Sequence, residues 1–168
     1  MDRFTRLPPE LREEALLRLP PEELQRLCQQ VQWPICSKES FWKKHNQIWG
    51  GYIPEQYLAA FDLWLVIITN RPTLELLEEI YVMGTYETTP EETRNLITTP
   101  IYPPIFRLRL TIGDGFSHVV TNTTPMSPLD IMDKIWSTFR HLSTGDQEYF
   151  FDGLRYLGNG EYLVVLTE

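Results

Sequence analysis

Cysteine is scarce in this chain: Cys28 and Cys36 are the only two in 168 residues. Two thiols in helical or near-helical context argue against a disulfide-stapled secreted domain and predict a reducing compartment, with both side chains serving as core. Long hydrophobic runs are missing as well. The most apolar stretch, Leu63 to Ile68, is far shorter than the roughly 20 residues a membrane-crossing helix needs, and is expected to be a buried helix. The opening MDRFTRLPPE has no apolar run of the kind a signal peptide carries. The expected setting is therefore cytoplasmic or nuclear, with no membrane partner, and the sequon Asn122-Thr123-Thr124 has no compartment in which to be glycosylated.

Catalytic and metal-binding patterns are equally sparse. Cys28, Cys36, His45, His118 and His141 contain no CxxC pair and no HExxH helix, so no metal and no cofactor are expected. No glycine-rich phosphate loop follows a strand, because Gly113-Asp114-Gly115 and Gly158-Asn159-Gly160 have the composition of hairpin turns. Asp114 and Asp152, each beside glycine, are placed as turn acids. Both thiols lie on apolar stripes, where an activated nucleophile is not expected. The chain is read as a non-catalytic protein.

What is present is a well-filled composition, 42% hydrophobic and 12% aromatic, which supports a folded core. The charge is uneven. Residues 1–50 carry eight Lys/Arg against seven Asp/Glu, whereas residues 51–168 carry seven against sixteen. An acidic C-terminal part without a basic stripe disfavours nucleic acid as a partner.

Periodicity divides the chain into helical and alternating parts. A first helix presents Leu11, Ala15, Leu16 and Leu19 and stops at Pro20-Pro21. A second begins at Pro21, with Glu22 and Glu23 at its positive end and a stripe of Leu24, Leu27, Cys28 and Val31, and is ended by Pro34. A third, capped by Ser37, presents Phe41, Trp42, His45, Ile48 and Trp49 up to Gly50-Gly51. Helices are also predicted over residues 54–69 and 73–83, with a short one after Thr89-Pro90-Glu91-Glu92. A proline-rich connector, Thr98 to Pro104, follows. Phe106, Leu108, Leu110 and Ile112 then alternate with Arg107, Arg109 and Thr111 as a strand that turns back into Phe116 to Thr121. A helix capped by Ser127 runs through Leu142, and a second hairpin joins Leu154–Leu157 to Tyr162–Thr167. The fold class is α+β: a three-helix module at 1–50, then a mixed helix and antiparallel-sheet domain at 51–168.

The segments LPPEL (7–11), the leucine steps at Leu16 and Leu19, LP (19–20), LQRLC (24–28), IC (35–36) and FW (41–42) occur in the order of an F-box. The pattern resembles that of F-box-like proteins of large DNA viruses, and DQEYFFDGL with GNGEYLVVL near the C-terminus is similar to the tails of such viral proteins. The stretch between Cys28 and Ile35 is about two residues shorter than in those relatives. The resemblance implies a substrate receptor of a cullin ubiquitin ligase. Leu7, Pro8, Leu11, Leu16, Leu19, Pro20, Leu24, Leu27, Ile35 and Trp42 would meet a Skp-type adaptor, and residues 51–168 would hold a target protein, a host factor in a viral setting. Candidate target-binding features are Arg107 and Arg109 with His118 across the hairpin, or an exposed sheet edge. The alternative is a structural or assembly protein, a virion or scaffold component that keeps the three helices for internal packing or oligomerisation.

Overall fold

Proline sets where the first helices begin, since its fixed φ suits the first helical position and its missing N–H costs nothing there. In the computed structural model, which describes residues 6–62, 66–67, 70–77, 90–113, 116–142 and 147–168, α1 is Pro9–Leu17 and α2 is Pro21–Gln30, each starting on a proline. A 3-10 turn, Pro34–Ser37, leads into α3, Glu39–Trp49. Ser37 does not cap α3: its hydroxyl donates to the Pro34 carbonyl (2.8 Å), and the helix starts two residues later. Gly50, at φ 91°, ends α3 in a conformation open chiefly to glycine. Leu16, Leu24, Phe41 and Trp42 form a core within these helices, flanked by Leu17, Leu19, Leu27, Trp33 and Ile35.

A second, larger core begins at Ile53. Helix α4, Glu55–Asp62, is shorter than the helix predicted over residues 54–69, because Val66–Ile67 form a strand, β1. An unbroken apolar run does not by itself distinguish helix from strand, and the β-branched residues Val66 and Ile67 favour the extended form. Of the helix predicted over 73–83, residues 74–77 are helical, Thr73 precedes the helix, and residues 78–83 lie outside the described residues. The chain continues through α5, Pro90–Thr98, the strands β2, Arg107–Ile112, and β3, Phe116–Thr121, and helix α6, Pro128–Phe139. It closes with β4, Phe150–Gly158, and β5, Glu161–Thr167. Ser127 and Asp130 make a reciprocal capping box at the start of α6.

The fold is α+β. Both predicted hairpins are present, and they join into one mixed sheet of order β1-β4-β5-β2-β3. The join is a parallel pairing of β2 with β5, Leu110 opposite Tyr162, and it places β5 in the interior of the sheet. Leu108, Leu110, Val120, Phe151, Tyr162 and Val164 are buried together with Ile131, Ile135 and Phe139 of α6. Strand β4 begins earlier than predicted. Asp152 and Gly153 lie inside it at a register shift between Phe151 and Leu154, with Gly153 at φ 104°, so Asp152 occupies a strand bulge and not a turn.

Candidate functional site

Of the ten residues assigned to adaptor contact, the structure closes three inside the helices' own core: Leu16, Leu24 and Trp42 are 1%, 0% and 4% exposed. The stripes of α1 and α2 face α3, whose Phe41 and Trp42 pack edge to face at 5.5 Å, so these three present no outward surface. Leu19, Pro20, Leu27 and Ile35 are half-buried. Leu7, Pro8 and Leu11 are exposed, Leu11 to 50%. A groove of about 290 Å³ is walled by Pro9, Arg12 and Glu13 of α1 with Trp33, Pro34 and Ile35, and Leu7, Pro8 and Leu11 are not among the residues that line it. The Arg12 Nε is buried without a hydrogen-bond partner among the described residues.

The rims of the module are tied by polar side chains of α3. A helix leaves its last carbonyls without intrahelical donors. Around the end of α1, the Trp49 indole donates to the Leu17 carbonyl (2.9 Å) and His45 Nε2 to the Leu19 carbonyl (2.8 Å). Donation to a carbonyl places the His45 proton on Nε2. The ring is 1% exposed, among Phe41, Trp42 and Trp49. Burial lowers its pKa from the usual histidine value, partly offset by the bond to Leu19. The Trp42 indole donates to the Cys36 carbonyl (2.7 Å).

The cysteines depart from expectation. Cys28 and Cys36 are bonded to each other as a disulfide and are not two separate core thiols. The bond joins the last turn of α2 to the 3-10 turn and closes the short stretch between them. Neither cysteine is therefore free for the reduced state that the expected reducing compartment implies.

A polar seam fastens the module to the sheet. Asn46 of α3, 2% exposed, accepts at Oδ1 from the backbone N–H groups of Phe106 (2.8 Å) and Arg107 (3.3 Å), while its amide donates to the Trp42 carbonyl (2.8 Å). The Gly51 N–H donates to the Arg107 carbonyl (2.6 Å). Arg107 and Arg109 donate to the carbonyls of Gln47 (2.7 Å) and Ile48 (3.3 Å) at the C-terminal end of α3, where cations are favoured. This use removes the two arginines from the set of free target-binding cations. His118 lies opposite Leu110, on the other face of the sheet from the arginines, stacked on Phe116 and edge-on to Phe139. The three do not form one patch.

At the far end of the seam the Tyr156 hydroxyl donates to Glu22 of α2 (2.6 Å) and accepts from the Gly160 N–H (2.9 Å). Burial, reinforced by the Glu22 carboxylate, holds that phenol protonated far above the ordinary tyrosine range. Tyr162, stacked on it at 4.9 Å, accepts from the Ile53 N–H. Asn46, Tyr156, Tyr162 and Tyr102 are the residues that motif reading passed over. A signal for Asn46 existed: it lies at helical spacing from Trp42 and Trp49, an amide on an otherwise aromatic face.

The candidate sheet edge is β3, where Phe116 and Val119 are 64% and 47% exposed. Among the described residues no group of three His, Cys, Asp or Glu side chains could hold a metal ion, and no helix is long and apolar enough to cross a membrane. Compared with known proteins, the chain matches no family model, no curated protein and no solved structure.

Proposed function

We propose that the chain is an F-box-like receptor whose N-terminal helices dock on a Skp-type adaptor of a cullin ubiquitin ligase, with the remainder holding a target protein. The observation that carries this reading is the exposed apolar end of α1. Leu7, Pro8 and Leu11 belong to the LPPEL segment and stay exposed, outside the module's own core. Exposed apolar side chains grouped at one end of a helix are features of a contact surface. Such a receptor makes and breaks no bonds and acts by raising the concentration of its target near the transferring enzyme. The test is a pull-down of the purified chain with recombinant adaptor, beside a variant carrying Leu7→Ala, Pro8→Ala and Leu11→Ala. Stoichiometric capture abolished by the triple substitution is the expected result, and no capture by folded wild type overturns the proposal.

A second reading, a structural or assembly protein, draws on the buried seam. Asn46 ties α3 to β2 through two backbone N–H groups, so the module packs on its own chain without any partner. A stable homo-oligomer in light scattering that ignores adaptor is the outcome this reading requires.

A further inference from the structure

We infer that the Cys28–Cys36 disulfide is a reversible thiol-exchange site for a small peptide thiol of the glutathione class, attacked at Cys28. The bond stands in the wall of a cleft of about 470 Å³ between the module and the connector at Tyr102 and Pro103. That volume suits a ligand of tripeptide size. No charged side chain is among the described residues that line it; the polar groups are the amides of Gln25, Gln29, Gln32 and Gln56 and the hydroxyls of Ser37 and Tyr102. In a chain of net charge −8 this is a neutral approach to sulfur, so an attacking thiolate meets no carboxylate in the cleft wall.

The two sulfurs are not equivalent. Cys36 is 5% exposed, and its carbonyl is held by both the Trp42 indole (2.7 Å) and the Tyr102 hydroxyl (3.0 Å), whereas Cys28 is half-buried on the last turn of α2. Access thus directs attack to Cys28. The incoming thiolate forms a mixed disulfide with Cys28, and Cys36 leaves as thiolate and takes a proton from water. A second small thiol attacks the mixed disulfide at the ligand's sulfur, releasing the oxidised dimer of the small thiol and the Cys28 thiolate, which is protonated in turn. Two electrons pass from two small thiols to the protein bond.

The consequence falls on the groove beside α1. The segment closed by the bond carries Trp33, Pro34 and Ile35, and the same three residues wall that groove. Without the bond, the segment keeps backbone bonds such as Val31 N–H to Leu27 (2.9 Å), the two bonds on the Cys36 carbonyl and the packing of Trp33 and Ile35 on the module's core, but loses its cross-link to Cys28. Oxidation therefore adds a covalent restraint to the groove wall, whatever occupies the groove.

The test equilibrates the folded full-length chain, without denaturant or adaptor, in buffers of reduced and oxidised glutathione of graded ratio, with thiol state read by intact mass after acid quench and alkylation. The expected result is a reversible transition between disulfide and dithiol, with a shift in tryptophan fluorescence at the same midpoint. In single variants, Cys36→Ser collects a glutathione adduct at Cys28 at least tenfold faster than Cys28→Ser collects one at Cys36. Circular dichroism checks that both variants are folded; should either fail to fold, the wild-type titration decides alone. A bond that survives excess reduced glutathione and opens only in denaturant overturns the proposal, as does a folded chain that never forms the bond in oxidised buffer, or equal adduct rates at the two cysteines. Because no adaptor is present, none of these outcomes bears on the docking proposal.

Discussion

Replacing Asn46 by alanine removes the side chain that, among the described residues, bonds α3 to the backbone at the start of β2. The Phe106 N–H is buried and would lose its acceptor; the Arg107 N–H, part-buried and at 3.3 Å, would lose a weaker one. A buried backbone donor left unsatisfied costs about 1–3 kcal/mol, so the first N–H contributes most of a total of about 2–4 kcal/mol. The Trp42 carbonyl loses only a side-chain donor, which adds little. For a chain of this length each kcal/mol lowers Tm by about 2–4 °C, giving a fall of about 4–16 °C. Urea unfolding followed by tryptophan fluorescence reads both parts, since Trp33, Trp42 and Trp49 belong to the module and Trp136 to α6. Gln47→Ala is the control, because Gln47 is exposed and serves the seam only through its backbone carbonyl; its effect should stay within about 0.5 kcal/mol. If Asn46→Ala matches the control, the seam does not depend on Asn46 and the reasoning fails.

Other expectations concern single groups. His45 has a pKa below the ordinary value of 6.5 because its ring is desolvated. The unfolded chain therefore binds the proton first, and the stabilisation, full above pH 6.5, is lost as pH falls through the lowered value; the urea midpoint should drop from pH 7.5 to 5 more in wild type than in His45→Gln. Gly160 sits at φ 78° with the Trp49 carbonyl against the position a Cβ would take, so Gly160→Ala should cost about 2 kcal/mol or more in urea unfolding. Ser127→Ala removes half of the α6 capping box and should cost about 1 kcal/mol, read as a Tm shift of about 2–4 °C. Replacing both cysteines by alanine opens a loop of sequence separation 8, for which the chain-entropy account gives about 2.5 kcal/mol, checked by the difference in urea midpoint.

Local rules were sufficient wherever one element decided its own conformation. Pro21 opens α2, Gly50 closes α3, Ser127 and Asp130 cap α6, and Gly158-Asn159-Gly160 turns β4 into β5, with Asn159 at φ 54°. Each depends on backbone preferences legible within a few residues. The parallel pairing of β2 with β5 was beyond such rules, because the partners lie about fifty residues apart and either hairpin is self-consistent alone. The run around Val66 was ambiguous for another reason: apolar composition suits helix and strand alike, and the extended form of Val66 and Ile67 comes with their pairing to β4. The disulfide was missed because a low cysteine count was weighed against secretion, whereas the geometry that brings Cys28 to Cys36 comes from the turn after α2.

The same limit governs the contact surface. A leucine stripe read from sequence does not reveal whether its face looks toward a sister helix or toward a partner, since both remove equal apolar area from water. Here α3 settles the matter. With Phe41 and Trp42 filling the angle between α1 and α2, Leu16 and Leu24 turn inward, and the remainder is the exposed Leu7, Pro8 and Leu11 with the half-buried Leu19, Pro20, Leu27 and Ile35. Three of the ten assigned residues thus stabilise the module whether or not it has a partner. If the chain docks on an adaptor as proposed, a substitution at Trp42 lowers capture by loosening the fold, while one at Leu11 lowers it by removing contact. Only the second kind of variant, with an unfolding midpoint equal to wild type, can distinguish docking from packing.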